Sequence, residues 1–268
     1  MKIPLYQVDA FTDRIFAGNP AAVCPLDSWL PDETLSAIAR ENNLSETAFF
    51  VPDGDGYELR WLTPEVEVEL CGHATLASAY VLFERLGAAQ DALTFRTRSG
   101  PLVVTRTKDG YAMDFPALSP EPVKPESAIS SALGRAPSGV VATPDHYVAV
   151  FEDAEEVAAL APDFPAVKRL ARPGVIATAP GSKGADFVSR YFAPQKGIDE
   201  DPVTGSAHCV LAPYWAARLG KRRLFARQIS RRGGELALEL RGDRLIIEGK
   251  AALYLEGTIF IDAPAARP

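Results

Sequence analysis

The chain has 268 residues, 47% hydrophobic and 24% charged, with 22 prolines and 20 glycines, the composition of a globular protein with one large domain or two of about 130 residues. A formal charge of −7 without a block of Lys or Arg argues against nucleic acid or an anionic membrane as partner, and no apolar run approaches the ~20 residues of a membrane span.

Short runs bounded by Gly, Pro or Asp predict strands. In the first half they are Ile3–Val8, Thr47–Val51, Tyr57–Leu62, Leu93–Thr97, Pro101–Thr107 and Tyr111–Phe115. Met1 to Phe11 lacks the long apolar core and cleavage site of a signal peptide. An amphipathic helix is expected over Pro31–Asn42. A second, Gly72–Leu86, carries no charge from Ala74 to Phe83, and a helix apolar all round is buried on all sides. The Pro-rich stretch Pro116–Pro125 reads as a linker. The second half offers strands at Gly139–Thr143, Tyr147–Phe151, Val175–Ala179, Asp186–Phe192, Gln228–Arg231, Glu235–Arg241 and Arg244–Ala251. Its helices are Glu152–Leu160, Pro165–Ala171 and the apolar Gly205–Leu219, which Pro213 should kink.

The two apolar helices belong to a repeat. Gly72 to Gly87 aligns with Gly205 to Gly220 at an offset of 133, with six identities and no gap. Gly100 meets Gly233, and the turn at Lys108-Asp109-Gly110 meets Arg241-Gly242-Asp243. Upstream, Arg60-Trp61-Leu62-Thr63-Pro64 resembles Arg190-Tyr191-Phe192-Ala193-Pro194 at an offset of 130. Two similar halves follow, residues 1–117 and 118–256, each an α+β unit with a sheet curled around one buried helix. A tail of about 257–268 is free to return to the first half.

Three cysteines, Cys24, Cys71 and Cys209, are an odd and sparse set. They point to free thiols in a reducing compartment and so to the cytoplasm. Without CxxC or HExxH spacing, and with three histidines, no metal site is expected.

Each buried helix begins with a glycine, Gly72 or Gly205, and its start leaves backbone N–H groups that suit an anion. Close packing alone would equally account for these glycines. Polar groups gather at both starts: His73 at one, Asp201, Thr204 and Ser206 at the other. Asp201 also suits a helix cap, Ser206 a first-turn residue, and His73 a ring bonded to backbone. Glu46 stands where a helix hands over to the apolar run Ala48-Phe49-Phe50. Desolvation of a carboxylate suits it to proton transfer, although an edge-strand surface position fits the pattern too. The second half has no carboxylate near Val175–Ala179. Convergence of Glu46, His73, Asp201 and Ser206 on one cleft is the expectation that separates a site from these plainer readings.

The blocks Val8-Asp9-Ala10-Phe11, Gly18-Asn19-Pro20-Ala21-Ala22-Val23, Ser45-Glu46-Thr47-Ala48-Phe49, Leu70-Cys71-Gly72-His73-Ala74-Thr75 and the run from Gly197 to His208 resemble, in order, the signature blocks of the PhzF-like (phenazine-biosynthesis) isomerase family. The resemblance implies the diaminopimelate epimerase fold, with two pseudo-twofold-related halves. It also implies an isomerase without metal or organic cofactor and a homodimer. By the same resemblance Glu46 is the acid/base, with His73 and Asp201 assisting proton transfer. Gly72, Gly205, Ser206, Thr204 and Cys71 would lie against a small carboxylate substrate. The related epimerases use a cysteine at each helix start, whereas here only Cys71 occupies one, which disfavours a two-thiol racemase. An epimerase pairing Glu46 with Asp201 or Cys71, and a non-catalytic binder of a small acid or a protein, remain the alternatives.

Overall fold

The computed structural model describes residues 1–124 and 127–262. The chain begins with β1 (Lys2–Ala10), β2 (Asn19–Pro25), α1 (Asp32–Asn42), β3 (Glu46–Asp53), β4 (Gly56–Leu62) and β5 (Glu67–Val68). It continues through α2 (Gly72–Tyr80), which widens into a π turn over Val81–Arg85, to β6 (Ala92–Thr97), β7 (Gly100–Arg106) and β8 (Tyr111–Pro116). Next come β9 (Glu121–Pro122), α3 (Ser127–Leu133), β10 (Gly139–Ala142), β11 (His146–Val150), α4 (Ala154–Ala158), α5 (Phe164–Lys168), β12 (Gly174–Pro180) and β13 (Phe187–Ala193). A 3-10 turn at Pro194–Lys196 leads to β14 (Ile198–Asp201), α6 (Gly205–Leu219), β15 (Arg223–Gln228), β16 (Gly234–Arg241), β17 (Arg244–Gly249) and β18 (Ala251–Phe260).

Two compact units result. One is Met1–Asp114 with the chain from Gly249 onward; the other is Phe115–Glu248. The return to the first unit begins earlier than the boundary expected at 256, because β18 pairs antiparallel with β1 from Ala251 beside Ala10 to Phe260 beside Lys2. Residues 263–268 of the expected tail, and Pro125 of the expected linker, lie outside the described residues. The linker stretch is held within the second unit, with Ala117 N–H donating to the Asp243 carbonyl at 2.8 Å and Leu118 N–H to the Cys209 carbonyl at 2.9 Å.

In the first unit the strands run β18-β1-β2-β3-β4, then β5 and β6 both beside β4, then β7 and β8. The pairing is parallel at β2/β3 and β4/β6 and antiparallel elsewhere. In the second unit the order is β9-β10-β11-β12-β13, then β14 and β15 beside β13, then β16 and β17. It is parallel at β11/β12 and β13/β15 and antiparallel elsewhere. Strand by strand, the two units use the same sequence of pairings.

The charge-free composition of α2 places it inside its unit. Every residue from His73 to Ala79 is buried, and the helix packs on β1, β2, β3, β7 and β18. Its hydroxyls bond back one turn, Thr75 to the Cys71 carbonyl at 2.6 Å and Ser78 to the Ala74 carbonyl at 2.8 Å, so neither hydroxyl goes unmet. The π turn shows as a bond from Leu86 N–H to the Val81 carbonyl, 3.0 Å. In the second unit, α6 packs on β15 and β16. Its Trp215 stacks on Phe187 and donates to Thr178 Oγ1 at 3.0 Å. The helix runs unbroken through Pro213. Pro213 has no N–H for the carbonyl four residues back, that of Cys209, and Leu118 N–H occupies it instead.

Several elements escape the expected strands and helices, the short β5, β9 and β14 among them. β2, Asn-Pro-Ala-Ala-Val-Cys-Pro, offers small residues and prolines where alternation was sought. β15 lies at Arg223–Gln228 rather than Gln228–Arg231, its alternating burial disguised by arginines on the outer face. β18, and the short α3, were not anticipated.

An ion pair of the same form fixes each approach to a buried helix. Arg60 on β4 grips Glu67 of β5 through two bonds of 2.8 and 2.7 Å, and Arg190 on β13 grips Glu200 of β14 at 2.7 and 2.8 Å. Such forked pairs fix geometry as well as charge. The turn from β1 to β2 is equally constrained: Phe16 N–H donates to Asp9 Oδ2 at 2.8 Å, and Gly18 has φ +65°. A Cβ at Gly18 would lie 2.2 Å from the Ala10 carbonyl oxygen. Gly18→Ala is therefore expected to cost at least about 2 kcal/mol in urea unfolding, from backbone strain plus overpacking.

Candidate active site

In the first unit, the start of β3 and the start of α2 bring three expected residues together. Glu46 is the first residue of β3, Cys71 is the N-cap of α2, and His73 is its second residue; all three are buried. Glu46 Oε2 lies 3.2 Å from His73 Nε2. Both atoms are fully enclosed, and neither has an aligned hydrogen-bond partner among the described residues. On the other side of the ring, Nδ1 lies 3.2 Å from Asn19 Nδ2 and 3.4 Å from Cys71 Sγ. Asn19 opens β2 and is completely buried.

Electrostatics couple these groups. Burial favours a neutral His73, but the negative charge that Cys71 and Glu46 can carry opposes it and prevails, holding the imidazole well above its ordinary pKa. Burial, reinforced by Glu46, pushes the Cys71 thiol up. A raised pKa keeps Cys71 a thiol at neutral pH. Donor atoms of Glu46, Cys71 and His73 lie within 4.8 Å of one another. Glu46 faces Nε2 while Cys71 faces Nδ1, so an ion bound at either nitrogen has the third donor across the ring. At bond lengths of about 2.0–2.3 Å the three do not form a ligand set as they stand.

The second unit gathers Asp201, Thr204 and Gln228. Thr204 is the N-cap of α6, yet its hydroxyl donates to Asp201 Oδ2 rather than capping the helix. Thr204 N–H donates to Gln228 Oε1 at 2.8 Å, and Gln228 Nε2 donates to the Asp201 carbonyl at 2.7 Å. Gly205 is buried, and Ser206, at the helix position that His73 holds in α2, is exposed. Neither N-cap side chain, Cys71 or Thr204, caps its helix, so the first turns keep N–H groups for another acceptor. Cys209 lies a turn inside α6, buried, its thiol pushed up to about 12 by burial.

The sequence profile of the phenazine biosynthesis-like proteins matches residues 8–257. The chain belongs to the phenazine biosynthesis-like family. A Pseudomonas aeruginosa member described as an uncharacterized isomerase is 56% identical over 97% of this chain and all of its own length. The human phenazine biosynthesis-like domain-containing protein is 42% identical over 97% of this chain and 99% of its own. A PhzF family crystal structure from Enterococcus faecalis superposes with a TM-score of 0.95 at 48% identity, covering 97% of this chain and 100% of that one. The fold extends to a hydroxyproline epimerase from Agrobacterium vitis, TM-score 0.61 at 13% identity over 98% and 94% of the two chains.

Two residues of the candidate site have little signature in the sequence. Asn19 was visible only as part of the Gly-Asn-Pro block, and Gln228 lay at the edge of a misplaced strand. No helix among the described residues is long and apolar enough to cross a membrane.

His208, one turn into α6, is fully buried, with Nδ1 2.7 Å from the Thr204 carbonyl. Burial lowers its pKa to about 4, against the smaller upward pull of that bond. Burial, with Lys196, likewise lowers His146 to about 4. Both rings are neutral in the folded protein and charge more readily once unfolded. Their contribution to stability is complete above the unfolded value near 6.5 and is lost as pH falls from there to about 4. His73 has the opposite sign, contributing below 6.5 and losing that as pH rises through its folded pKa, so it adds no slope in the acid window. His208→Phe should flatten the fall in urea-unfolding free energy between pH 6.5 and 4 by up to about 3 kcal/mol.

Proposed function

We propose that this isomerase shifts a proton within a small carboxylate, cyclic or amino-acid-derived, with Glu46 as the acid/base. The carboxylate of Glu46 takes a proton from carbon, the electron pair moves into the adjoining unsaturated system, and the same carboxyl group returns the proton to a second carbon. Bonds and charge balance without an oxidant or reductant. The observation that carries this reading is the enclosed pair Glu46 and His73, whose facing atoms are 3.2 Å apart and otherwise without partners, beside a helix start whose N-cap side chain does not cap it. Such N–H groups suit the substrate carboxylate and the negative charge that develops during proton transfer. Gly72 and Cys71 belong to that start. Thr204, Gly205 and Ser206 form the equivalent start in the second unit and are assigned to substrate binding, with Asp201 assisting proton transfer.

The epimerase reading with a thiolate base is weakened by the upward shift of the Cys71 thiol. A homodimer is part of the proposal, supported by the exposed side chains of Phe16, Tyr254, Leu255 and Phe260. Light scattering should give twice the 28.9 kDa chain mass, and a single-chain mass at micromolar concentration rejects the dimer.

Incubation in heavy water with candidate amino and hydroxy acids, followed by NMR, identifies a substrate by deuterium uptake. On that substrate Glu46→Gln is expected to lose at least ~10²-fold in rate, the scale of a general base, while still binding the acid. Ser206→Ala should instead weaken binding by about 1 kcal/mol. Full exchange activity in Glu46→Gln removes Glu46 from the mechanism and makes Asp201 the next candidate.

A further inference from the structure

We propose that Asn19 is a positioning residue that fixes the ring proton of His73 on Nε2, facing Glu46. The proposal rests on the reading of Glu46 and His73 as the proton-transfer pair, though its test below does not depend on activity.

The geometry points to this role from both sides of the ring. At Nδ1 stand the amide nitrogen of Asn19, 3.2 Å away, and the sulfur of Cys71, 3.4 Å away. An amide N–H can only donate, and a thiol that burial keeps protonated also offers a hydrogen. With donors on that side, Nδ1 is left to accept, and the proton of the neutral ring is assigned to Nε2. Nε2 is the atom 3.2 Å from Glu46 Oε2. Glu46 thereby faces an N–H rather than a lone pair. The arrangement supports the ionised carboxylate before it takes a proton and can relax once it has done so.

Asn19 also opposes a second ring proton. Among the elements packed on α2, namely β1, β2, β3, β7 and β18, the group acting electrostatically on His73 is Glu46, joined by Cys71 from the helix start itself. Negative charge on either favours the imidazolium. The Asn19 amide N–H at Nδ1 works against it, because a proton there would meet a donor. Asn19 is well placed to hold this position. It is wholly buried, follows the tight turn at Gly18, and pairs with Ala10 of β1. It lies two residues before Ala21, the register partner of Glu46, so Asn19 and Ala21 share a face of β2.

The test is the nitrogen-15 NMR spectrum of the histidine rings, tractable because there are three histidines; His146→Gln and His208→Gln assign His73 by elimination. In the wild type, His73 should show a protonated Nε2 and an unprotonated Nδ1 in its neutral form. Asn19→Asp replaces the donor at Nδ1 by an acceptor, and the imidazolium should then persist to a pH at least roughly one unit higher. Asn19→Leu should leave a mixture of tautomers. His146 and His208, in the other unit, should be unmoved in both variants. A neutral wild-type His73 protonated at Nδ1 overturns the proposal without any variant, so it stays testable even if a substitution prevents folding. Unchanged tautomer and titration in both variants overturn it as well. Exchange activity, once a substrate is known, should fall roughly tenfold in Asn19→Asp, the lower end for outer-shell partners. Loss of the Glu46 assignment, read from Glu46→Gln, leaves the spectra untouched and so is told apart from failure here.

Discussion

The burial of an apolar helix dominates the structure of each unit. Burial limits the water that reaches a helix's first turn, so its free N–H groups must meet protein, ligand or solvent led to them. Here the residues at the two N-cap positions do not do this with their side chains. Cys71 is drawn toward His73, and the hydroxyl of Thr204 toward Asp201. The cost of leaving donors unmet in a buried place is tolerable where an anion is expected to arrive. The same feature that requires a curled sheet, a helix that is mostly apolar around its circumference, therefore leaves a helix start of the kind the proposed anion binding needs.

Precise placement of these starts needs rigid approaches. The forked pairs Arg60–Glu67 and Arg190–Glu200 tie the very short strands β5 and β14 to their neighbours just before each helix. Two-residue and four-residue strands would hold poorly on backbone bonds alone. Pro213 contributes in another way. By freeing the Cys209 carbonyl it gives Leu118 a bond inside the second unit, so a residue that weakens the helix ladder anchors the chain that enters the unit.

Much of this was legible in the sequence because it depends on local pattern. The absence of charge from Ala74 to Phe83 identified a buried helix, the constant offset identified its partner, and Glu46 stood out as a carboxylate leading an apolar strand. The remainder depended on contacts distant in sequence. Asn19 is an ordinary polar residue in a turn until β2 lies beside β3 and α2 is packed over both. Gln228 lies 24 residues beyond the Thr204 that it holds, and the expected strand began where β15 ends. β18 has apolar and polar residues in no clear alternation, and its place is set by pairing with β1 across the whole length of the chain. The family resemblance indicated roles for Glu46, His73 and Asp201, but the partners of those residues came from geometry.

The units share their pairings but not their chemistry, and the register shows why. In the first, Glu46 faces Ala21 and precedes Thr47, which pairs with Leu62. In the second, Gly174 faces His146 and precedes Val175, which pairs with Phe192. Leu62 and Phe192 are related by the offset of 130, so Gly174 stands where Glu46 does. It cannot be replaced in isolation. A Cβ there would lie 2.5 Å from Tyr191 Oη and 2.8 Å from His146 Cδ2, so those rings occupy the space that a glutamate side chain would need. Alanine or small residues on two neighbouring strands would be required before a carboxylate could be accommodated. Thus the difference between the two positions is built into the core. One unit keeps a small Ala21 beside its carboxylate, while the other has filled the corresponding space with aromatic side chains that leave no room for a carboxylate there.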